Sequence, residues 1–451
     1  MASCAAALKQ QGYNVTGSDQ GAYPPMSTFL GSQDIDIQSP YTIDNLQHQP
    51  DLVVIGNALS RGNPEVEYVL NEKLPYCSLP ELLKEFFIRG KRSIVIAGTH
   101  GKTTTTSLMA WVLESAGLNP SFLIGGVPLN FGFGARFTDS PWFVIEGDEY
   151  DTAFFDKRSK FVHYLPEIGI INNLEYDHAD IFPDLASIQL SFQRFVNIIP
   201  GNGLLLANGE EPNLASLVEV EHCPHQSFGF EANNDVRAEA VELLPHGSRF
   251  EVDGTVYELP MVGRLNIRNA LAVIAGARHC GVSPEQICTG LATFKGIKRR
   301  MEIRAKVGDV TIIDDFGHHP TAIRETIEAL RVAYAGRKLW VAFEPRSNTT
   351  RRNIFQSDLA ESLGLADAVL ISQVARLHLL DADQRLDPAR LVSEIQAQGK
   401  DCANLPEADS ICAHLTRDCQ SGDVVCIFSN GSFDNLHSKL ETSLKERFGG
   451  G

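Results

Sequence analysis

The sequence predicts an α/β protein of three domains, each built on a mainly parallel sheet. Short apolar strands alternate with helical stretches along most of the 451 residues, which is the pattern of parallel strands joined by helical crossovers. Two charged segments, "IRGKRS" and "KGIKRRMEIRAKVGD", interrupt this alternation and indicate hinges. At about 100–200 residues per domain, we expect domains at residues 1–90, 91–297 and 298–451.

Residues 1–90 are predicted to form a small Rossmann-like domain with an unusual start. A helix is expected from Met1 to about Gln11, Gly12 ends it, and "YNVTGSD" follows as a short strand. In a doubly wound domain such a helix follows a strand and a glycine-rich turn, and neither precedes it here. Either the domain begins unusually or the sequence lacks its true beginning, and we favour the second interpretation.

The central domain opens with "IAGTHGKTTTTSLMAWVL", a strand, a tight glycine loop and the start of a helix. Glycines let backbone N–H groups approach phosphate oxygens, and a helix N-terminus adds positive partial charge. Lys102 can reach the β- and γ-phosphates, and Thr103 can offer its hydroxyl to Mg²⁺. Ile96 stands where the strict P-loop has glycine, so this loop is shorter. A P-loop ATPase-like domain that binds ATP is predicted. The candidate ATP-binding residues of the loop are Gly98, Thr99, His100, Gly101, Lys102, Thr103 and Thr104.

Carboxylates follow two further strands of the central domain. "FVIEGDEYDTAFF" contains Glu146 and Glu149, and "IINNLEYDHADIFPD" contains His178. An acidic residue at a strand end opposite a phosphate loop is well placed to hold Mg²⁺. The alternatives are a solvated acidic turn and a structural histidine. The candidate metal ligands after the first strand are Glu146, Asp148, Glu149 and Asp151, and His178 is the candidate after the second.

The rest of the central domain contains an insertion and a helix with two asparagines. Residues 237–261 have the pattern of an antiparallel insertion, and "NIRNALAV" follows with Asn266 and Asn269 on one helix face. Asparagine amides suit the edge of an adenine ring, and helix capping is the alternative reading. At the second hinge, Arg299 and Arg300 suit phosphate, or they form a solvated charge run.

The third domain is predicted to be Rossmann-like and carries two polar strand ends. "IIDDFGHHPTAI" places Asp314, Asp315, His318 and His319 at one strand end. Two carboxylates and two imidazoles in such a position are more typical of a functional site than of a purely structural segment. One strand later, "FEPRSNTTRRN" supplies arginine, amide and hydroxyl donors that suit carboxylates. Its candidate peptide-binding residues are Arg346, Ser347 and Asn348.

The composition excludes some classes of function. A net charge of −17 is unfavourable for a general binder of nucleic acid or anionic membranes. The nine cysteines form no CxxC pair and are expected to be reduced thiols. No apolar run reaches the roughly 18 residues of a membrane span, so we expect a cytoplasmic protein without membrane insertion.

Six stretches occur together in an order typical of one family: "GTHGKTTT", "EGDEYDTAFF", "NNLEYDHADIF", "GRLNIRNALA", "KGIKRRME" and "DDFGHHPTAI". The chain resembles, over nearly its whole length, the ATP-dependent Mur ligases of bacterial cell-wall synthesis. "GGVPLNFG", "TAFFDKRSKFVHY" and "EPRSNT" resemble more narrowly the branch that acts in peptidoglycan recycling, the murein peptide ligases.

The resemblance implies a domain each for the UDP-sugar, ATP and the amine substrate. It implies that UDP-N-acetylmuramate is joined to the tripeptide L-alanyl-γ-D-glutamyl-meso-diaminopimelate through an acyl phosphate, with ATP as co-substrate and Mg²⁺ as cofactor. The alternatives are a UDP-N-acetylmuramate–L-alanine ligase and, in another class, a regulatory P-loop switch. The switch leaves "DDFGHHP" and "EPRSNT" unexplained. A monomer is expected, with a dimer as the alternative.

The resemblance also assigns roles to single residues. It implies that Lys102 is catalytic, and His319 or Asp315 is a candidate for taking the amine proton. It implies metal ligation by Thr103, Glu146 and His178, with Glu149 as the alternative to Glu146. Beside the loop, Asn269 would contact adenine, Arg300 the phosphates and Asp314 the ribose. The candidate UDP-sugar-binding residues are Ser18, Asp19, Asn57, Gly125 and Gly126. Two departures from the family pattern are Arg194, where some relatives have a carbamylated lysine, and Leu265, where a histidine is common.

Overall fold

The computed structural model describes residues 1–23, 26–375, 377 and 380–449. Near the start of the chain it contains two small parallel sheets, which pair β1 with β2 and β3 with β4. The expected first helix is present as α1, whereas the predicted strand "YNVTGSD" is reduced to two residues. The strands are β1 (Gly17–Ser18), β2 (Ile37–Gln38), β3 (Val53–Ile55) and β4 (Tyr76–Ser78). The helices are α1 (Ala2–Gln10), α2 (Met26–Ser32), α3 (Pro64–Asn71) and α4 (Leu79–Leu83).

An eight-stranded sheet forms the centre of the molecule. Its strands are β5 (Arg92–Ala97), β6 (Ser121–Leu123), β7 (Ala135–Arg136), β8 (Trp142–Gly147), β11 (Pro166–Ile171), β12 (Leu204–Asn208), β13 (His225–Gly229) and β14 (Val236–Arg237). Their order is β14-β13-β12-β11-β5-β8-β6-β7, and each neighbouring pair is parallel except β6 with β7. A small antiparallel pair, β9 (Asp151–Ala153) and β10 (Asp156–Ser159), lies outside this sheet.

The central sheet is covered on both faces, which explains why β5 is apolar at consecutive positions. Ile94 and Ile96 pack on one face with helices α5, α7 and α8, while Val95 and Ala97 pack on the other with α6. All four side chains are fully buried. The helices are α5 (Lys102–Ser115), α6 (Leu185–Val196), α7 (Arg264–His279) and α8 (Pro284–Ala292).

The predicted antiparallel insertion is present as a separate three-stranded sheet. Its strands are β15 (Glu239–Leu244), β16 (Gly247–Val252) and β17 (Thr255–Leu259), paired in chain order. Phe250, Val252, Tyr257 and Leu259 join the same apolar core as α7 and α8, so the insertion packs against the helical layer.

The last part of the chain forms a six-stranded sheet of order β18-β19-β23-β20-β21-β22, parallel except for β18. The strands are β18 (Glu302–Val307), β19 (Val310–Asp315), β20 (Leu339–Phe343), β21 (Ala368–Ser372), β22 (Asp401–Leu405) and β23 (Val424–Phe428). The helices are α9 (Pro320–Ala333), α10 (Gln356–Leu363), α11 (Pro388–Ala397), α12 (Ala408–Asp418) and α13 (Leu436–Phe448). Two apolar clusters lie on opposite faces of this sheet, as in a doubly wound domain.

The strand ends of the two large sheets meet. Ala97 at the end of β5 pairs with Gly147 of β8 and Ile171 of β11, so the three following loops start at the same edge. The loops after β19 and β20 contact them from the other sheet. Polar residues that are far apart in sequence therefore come together in one cleft.

Candidate active site

The loop between β5 and α5 turns at two glycines, and its Thr99 and His100 N–H groups donate to the backbone carbonyl and the side-chain oxygen of Asn173. Gly98 has a φ of 139° and Gly101 a φ of 76°, values that side chains strongly disfavour. A Cβ on Gly101 would lie 2.7 Å from the Asn269 Oδ1 and 3.0 Å from the Asn172 Nδ2, so the site also excludes one sterically. Helix α5 begins directly after Gly101. Its first N–H groups and its dipole favour an anion at this point.

Lys102 lies in a buried ion pair at the base of the loop. Its Nζ donates to both oxygens of Glu149, at 2.9 and 3.2 Å, and to the Gly98 carbonyl at 2.5 Å. The two side chains are 13% and 4% exposed. Burial alone would raise the pKa of Glu149, but the charge of Lys102 and the bond to His178 outweigh it and lower the pKa to about 2. Glu149 is therefore ionised at neutral pH.

Glu146 is the second carboxylate, and it contacts the loop without a cation. Its oxygens accept hydrogen bonds from the Thr103 hydroxyl at 3.1 Å and from the Gly125 N–H at 2.6 Å. Burial and the neighbouring Asp148 raise its pKa to about 7. A carboxylate and a hydroxyl this close together are the kind of oxygen ligands that Mg²⁺ takes.

His178 follows β11 and reaches the same group. Its Nε2 lies 3.1 Å from the Glu149 Oε1, and its backbone N–H donates to the Asp177 side chain at 2.7 Å. Burial would lower the pKa of His178, but Glu149 and Asp177 outweigh it and raise the pKa. The structure therefore brings Lys102, Thr103, Glu146 and His178 into one cluster. It also gives Glu149 more contacts in that cluster than the sequence indicated.

A cleft of about 300 Å³ opens between His178 and the loop after β20. Arg346, Ser347 and Asn348 line it, and their role in peptide binding stays a prediction. The other lining residues are Asp177, His178, His318, Thr349, Arg351 and Asn430. The Asn430 Oδ1 is buried and makes no hydrogen bond within the described residues.

Acidic side chains of the loop after β11 accept hydrogen bonds from residues of the last domain. Asp177 accepts a 2.5 Å hydrogen bond from the buried Thr349 hydroxyl, and Asp180 accepts one of 2.7 Å from the Asn348 amide. Glu175 accepts one of 2.7 Å from the Thr321 hydroxyl. The contact between Asp177 and Thr349 could not be predicted from the sequence, because no sequence spacing relates residues on different sheets.

The two aspartates after β19 have different surroundings. Asp314 contacts the Arg299 Nε at 3.2 Å and the His437 Nε2 at 3.1 Å. Asp315 instead accepts from the backbone N–H groups of Met301 and Gly317, at 2.8 and 2.7 Å. Burial raises the pKa of Asp315.

Asn269 lies beside the phosphate loop at Gly101, and Arg300 acts on Glu146; their roles toward a nucleotide stay predictions. The Arg300 guanidinium lies 5.1 Å from the centre of the Phe316 ring, and its charge acts on the buried Glu146. The Asn269 amide is buried, and its Nδ2 has no hydrogen-bond partner in the described part of the chain. A ligand that accepts there would satisfy it.

His319 is not directed at the cleft. It precedes α9, where its Nδ1 accepts from the Thr321 N–H at 3.3 Å, and its Nε2 lies 3.3 Å from the Tyr176 carbonyl oxygen. Burial and the nearby His100 lower its pKa to about 3. The neighbouring His318, which lines the cleft, is better placed to meet a substrate.

The candidate UDP-sugar residues fall into two groups. Ser18 donates a 2.5 Å hydrogen bond to Glu65, Asp19 accepts from the Gly21 N–H, and Asn57 is exposed. Gly125 and Gly126 instead lie against the phosphate loop. A Cβ on Gly126 would lie 2.8 Å from the Thr103 methyl carbon.

Comparisons with known proteins agree with this arrangement. Three family models match the chain: "Mur ligase family, catalytic domain" at residues 1–91, "Mur ligase middle domain" at 96–277 and "Mur ligase, glutamate ligase domain" at 299–431. The chain belongs to the Mur ligase family. The resemblance seen in the sequence motifs and the three-domain α/β class are therefore confirmed.

Two relatives of this Mur ligase illustrate its position in the family. The UDP-N-acetylmuramate–L-alanyl-γ-D-glutamyl-meso-2,6-diaminoheptandioate ligase of Haemophilus influenzae is 43% identical, over 99% of this chain and 97% of its own. The UDP-N-acetylmuramate–L-alanine ligase of Variovorax paradoxus is 33% identical, over 98% and 92%. The crystal structure of a murein peptide ligase from Psychrobacter arcticus matches with a TM-score of 0.71 and 37% identity, over 98% of this chain and 96% of that one.

Among the described residues, no helix is long and apolar enough to cross a membrane.

Proposed function

We propose that this Mur ligase uses ATP to join the carboxyl group of UDP-N-acetylmuramate to the amine of L-alanyl-γ-D-glutamyl-meso-diaminopimelate, in peptidoglycan recycling. The observation that carries the proposal is 43% identity over 99% of the chain to a relative named for this reaction, against 33% for a relative named for the L-alanine reaction. We further propose that residues 1–90 bind the UDP-sugar, 91–297 ATP and 298–451 the peptide. A cytoplasmic location follows from these proposed nucleotide substrates.

The cleft supports a peptide rather than a free amino acid. A tripeptide that ends in diaminopimelate carries several carboxylates, whereas L-alanine carries one. Arg346 and Asn348 line a space of about 300 Å³, and arginine pairs with carboxylates through two parallel hydrogen bonds. We therefore assign the peptide to this cleft, with Arg346 on one of its carboxylates.

Residues of the chain position both halves of the reaction. The N–H groups of the loop and Lys102 would hold the γ-phosphate, and the lactyl carboxylate would attack it in line to give an acyl phosphate and ADP. The peptide amine, held in the cleft, would then attack the acyl carbon and release phosphate. Because the substrates lie on separate domains, closure supplies orientation. His318 lines the cleft, and burial lowers its pKa, so we propose it as the acceptor of the amine proton in place of His319.

The donor set around Thr103 fits Mg²⁺. Hydroxyl and carboxylate oxygens are its preferred ligands, and the raised pKa of Glu146 marks a carboxylate that lacks a cation. Thr103, Glu146 and Glu149 would hold the ion, with His178 on a second one. Bound there, Mg²⁺ would offset the negative charge of the transferring phosphoryl group.

An assay of ADP release tests the function. The purified chain is supplied with ATP, Mg²⁺ and UDP-N-acetylmuramate, and then with the tripeptide, with L-alanine or with neither. We expect ADP release only with the tripeptide. Release with L-alanine alone would assign the chain to the L-alanine ligases, and slow release with ATP alone that no substrate stimulates would indicate a nucleotide switch.

A further inference from the structure

Two imidazoles and a carboxylate converge where the phosphate loop meets the last domain. His100 belongs to the loop, Glu175 to the segment after β11, and His319 to the start of α9. The Glu175 Oε2 lies 3.4 Å from the His100 Nε2 and 3.4 Å from the His319 Nδ1. All three atoms lie within 4.8 Å of one another.

The two imidazoles are buried, and one of their nitrogens lacks a hydrogen bond within the described part of the chain. The side chains of His100 and His319 are 7% and 4% exposed. The His100 Nε2 makes no aligned hydrogen bond with any described residue. A buried polar atom without a partner costs about 1–3 kcal/mol, so it calls for a ligand.

The spacing matches a tetrahedral metal centre. With metal–ligand bonds of about 2.0–2.1 Å, neighbouring ligand atoms of a tetrahedral zinc site are about 3.4 Å apart. Two of the three pairs already have this spacing. The third pair of ligand atoms lies within 4.8 Å, and a rotation of the two rings, whose centres are 4.4 Å apart, would bring these nitrogens to the same spacing. Imidazole nitrogens favour Zn²⁺ over Mg²⁺ or Ca²⁺.

The surroundings orient the ligands. The Nε2 of His319 faces the Tyr176 carbonyl, so this nitrogen carries the proton and the Nδ1 presents its lone pair. The only hydrogen bond that the described structure gives the Nδ1 is a 3.3 Å contact with the Thr321 N–H, which a metal bond can replace. The Thr321 hydroxyl donates to Glu175 at 2.7 Å and fixes the carboxylate.

We propose that His100, Glu175 and His319 form a site for a transition-metal cation of the Zn²⁺ class, separate from the Mg²⁺ cluster at Glu149 and His178. Two ligands come from the central domain and one from the last domain, so the bound ion fixes the phosphate loop to α9. Zn²⁺ at this site holds the two domains together.

Equilibrium dialysis of the full chain against Zn²⁺, with Mg²⁺ in large excess to fill the Mg²⁺ cluster, tests the site without any ligase assay. Bound zinc per chain is compared for the wild type, His100→Ala and His319→Asn. Asparagine at 319 keeps an N-cap acceptor for α9. The controls are His178→Ala, in the Mg²⁺ cluster, and His279→Ala, an exposed histidine of α7. Circular dichroism verifies folding, and Co²⁺ absorption reports the coordination geometry.

We expect one tight site in the wild type and in both controls, and binding at least about tenfold weaker in His100→Ala and His319→Asn. A folded His319→Asn that keeps wild-type affinity would overturn the proposal. Loss of the tight site in His178→Ala alone would place zinc in the Mg²⁺ cluster and would also overturn it, as would a wild type without a tight site.

Discussion

Lys102 and Glu149 depend on each other, because each is buried with the other as partner. Lys102→Ala removes the ammonium that we propose holds the γ-phosphate, and we expect kcat to fall about hundredfold or more. It also leaves a buried carboxylate without its cation, which costs stability. The double variant Lys102→Ala/Glu149→Gln removes that charge, so we expect its thermal stability to recover while its activity stays lost. ADP release and thermal unfolding measure the two effects separately. A single variant with near wild-type turnover would refute the role of Lys102.

The raised pKa of Glu146 predicts that the affinity for Mg²⁺ depends on pH. Its pKa is raised to about 7 by burial and Asp148, and only the ionised carboxylate binds the ion. Below pH 7 protons compete, so Mg²⁺ affinity should fall by up to about tenfold per pH unit, and above pH 7 it should level off. Glu146→Gln should weaken binding and remove this dependence. Calorimetric titration between pH 5.5 and pH 8 measures it, and a wild-type affinity that is flat over this range would contradict the assignment.

Substitution of Arg346 tests whether the tripeptide binds in the cleft. Its only described ion pair is a 3.5 Å contact with Glu344, and its side chain is 37% exposed at the cleft. Loss of a charged hydrogen-bond partner costs about 1.5–3 kcal/mol, tenfold or more in affinity. Arg346→Ala should therefore raise the KM for the tripeptide and leave the KM for ATP unchanged. Arg352→Ala, which loses a contact with Gln384 outside the cleft, is the control. A rise in the ATP KM instead would place Arg346 in the nucleotide site.

At the scale of elements, Glu65 ties together three segments of the first domain. From α3 it accepts hydrogen bonds from the Ser18 hydroxyl at the end of β1, the Thr42 N–H at 3.2 Å and the Asn45 amide at 2.6 Å. It is 8% exposed. Glu65→Ala should raise the KM for UDP-N-acetylmuramate about tenfold, because it frees the segment that carries Ser18 and Asp19. Glu67→Ala, on the exposed side of α3, is the control. Equal rises in all three KM values would show a general loss of structure.

The elements themselves were largely predictable from local signals. The apolar residues before the glycine loop predicted the strand β5, and the loop glycines marked the start of α5 correctly. Glu65 was not predictable, since nothing local distinguishes it from Glu67 on the same helix. Its burial results from packing against loops that lie more than twenty residues earlier in the sequence.

At the scale of the whole molecule, the site exists only because two large sheets present their strand ends to each other. The sequence identified the polar strand ends one by one, and Arg346 to Asn348 do line a cleft with His178. Pairings across the domains, such as Glu175 with Thr321, follow from the relative position of the sheets, which no periodicity encodes. The family resemblance assigned Asp314 to the ribose and offered His319 or Asp315 as the acceptor of the amine proton. These assignments stay predictions, and we propose His318 for the proton because it lines the cleft.

Thr349 tests whether this closed arrangement depends on single contacts between domains. Its buried hydroxyl donates to Asp177 across the cleft, and a hydrogen bond to a charged group contributes about 1.5–3 kcal/mol. Thr349→Val keeps the shape of the side chain and removes only this bond, so open conformers should gain population by about tenfold. Small-angle scattering without substrates should then give a larger radius of gyration, and the KM values for ATP and tripeptide should rise together. Thr350→Val loses a contact with Ser347 inside the last domain and should leave the radius unchanged. If both variants scatter like the wild type, the bond between Thr349 and Asp177 does not hold the domains closed.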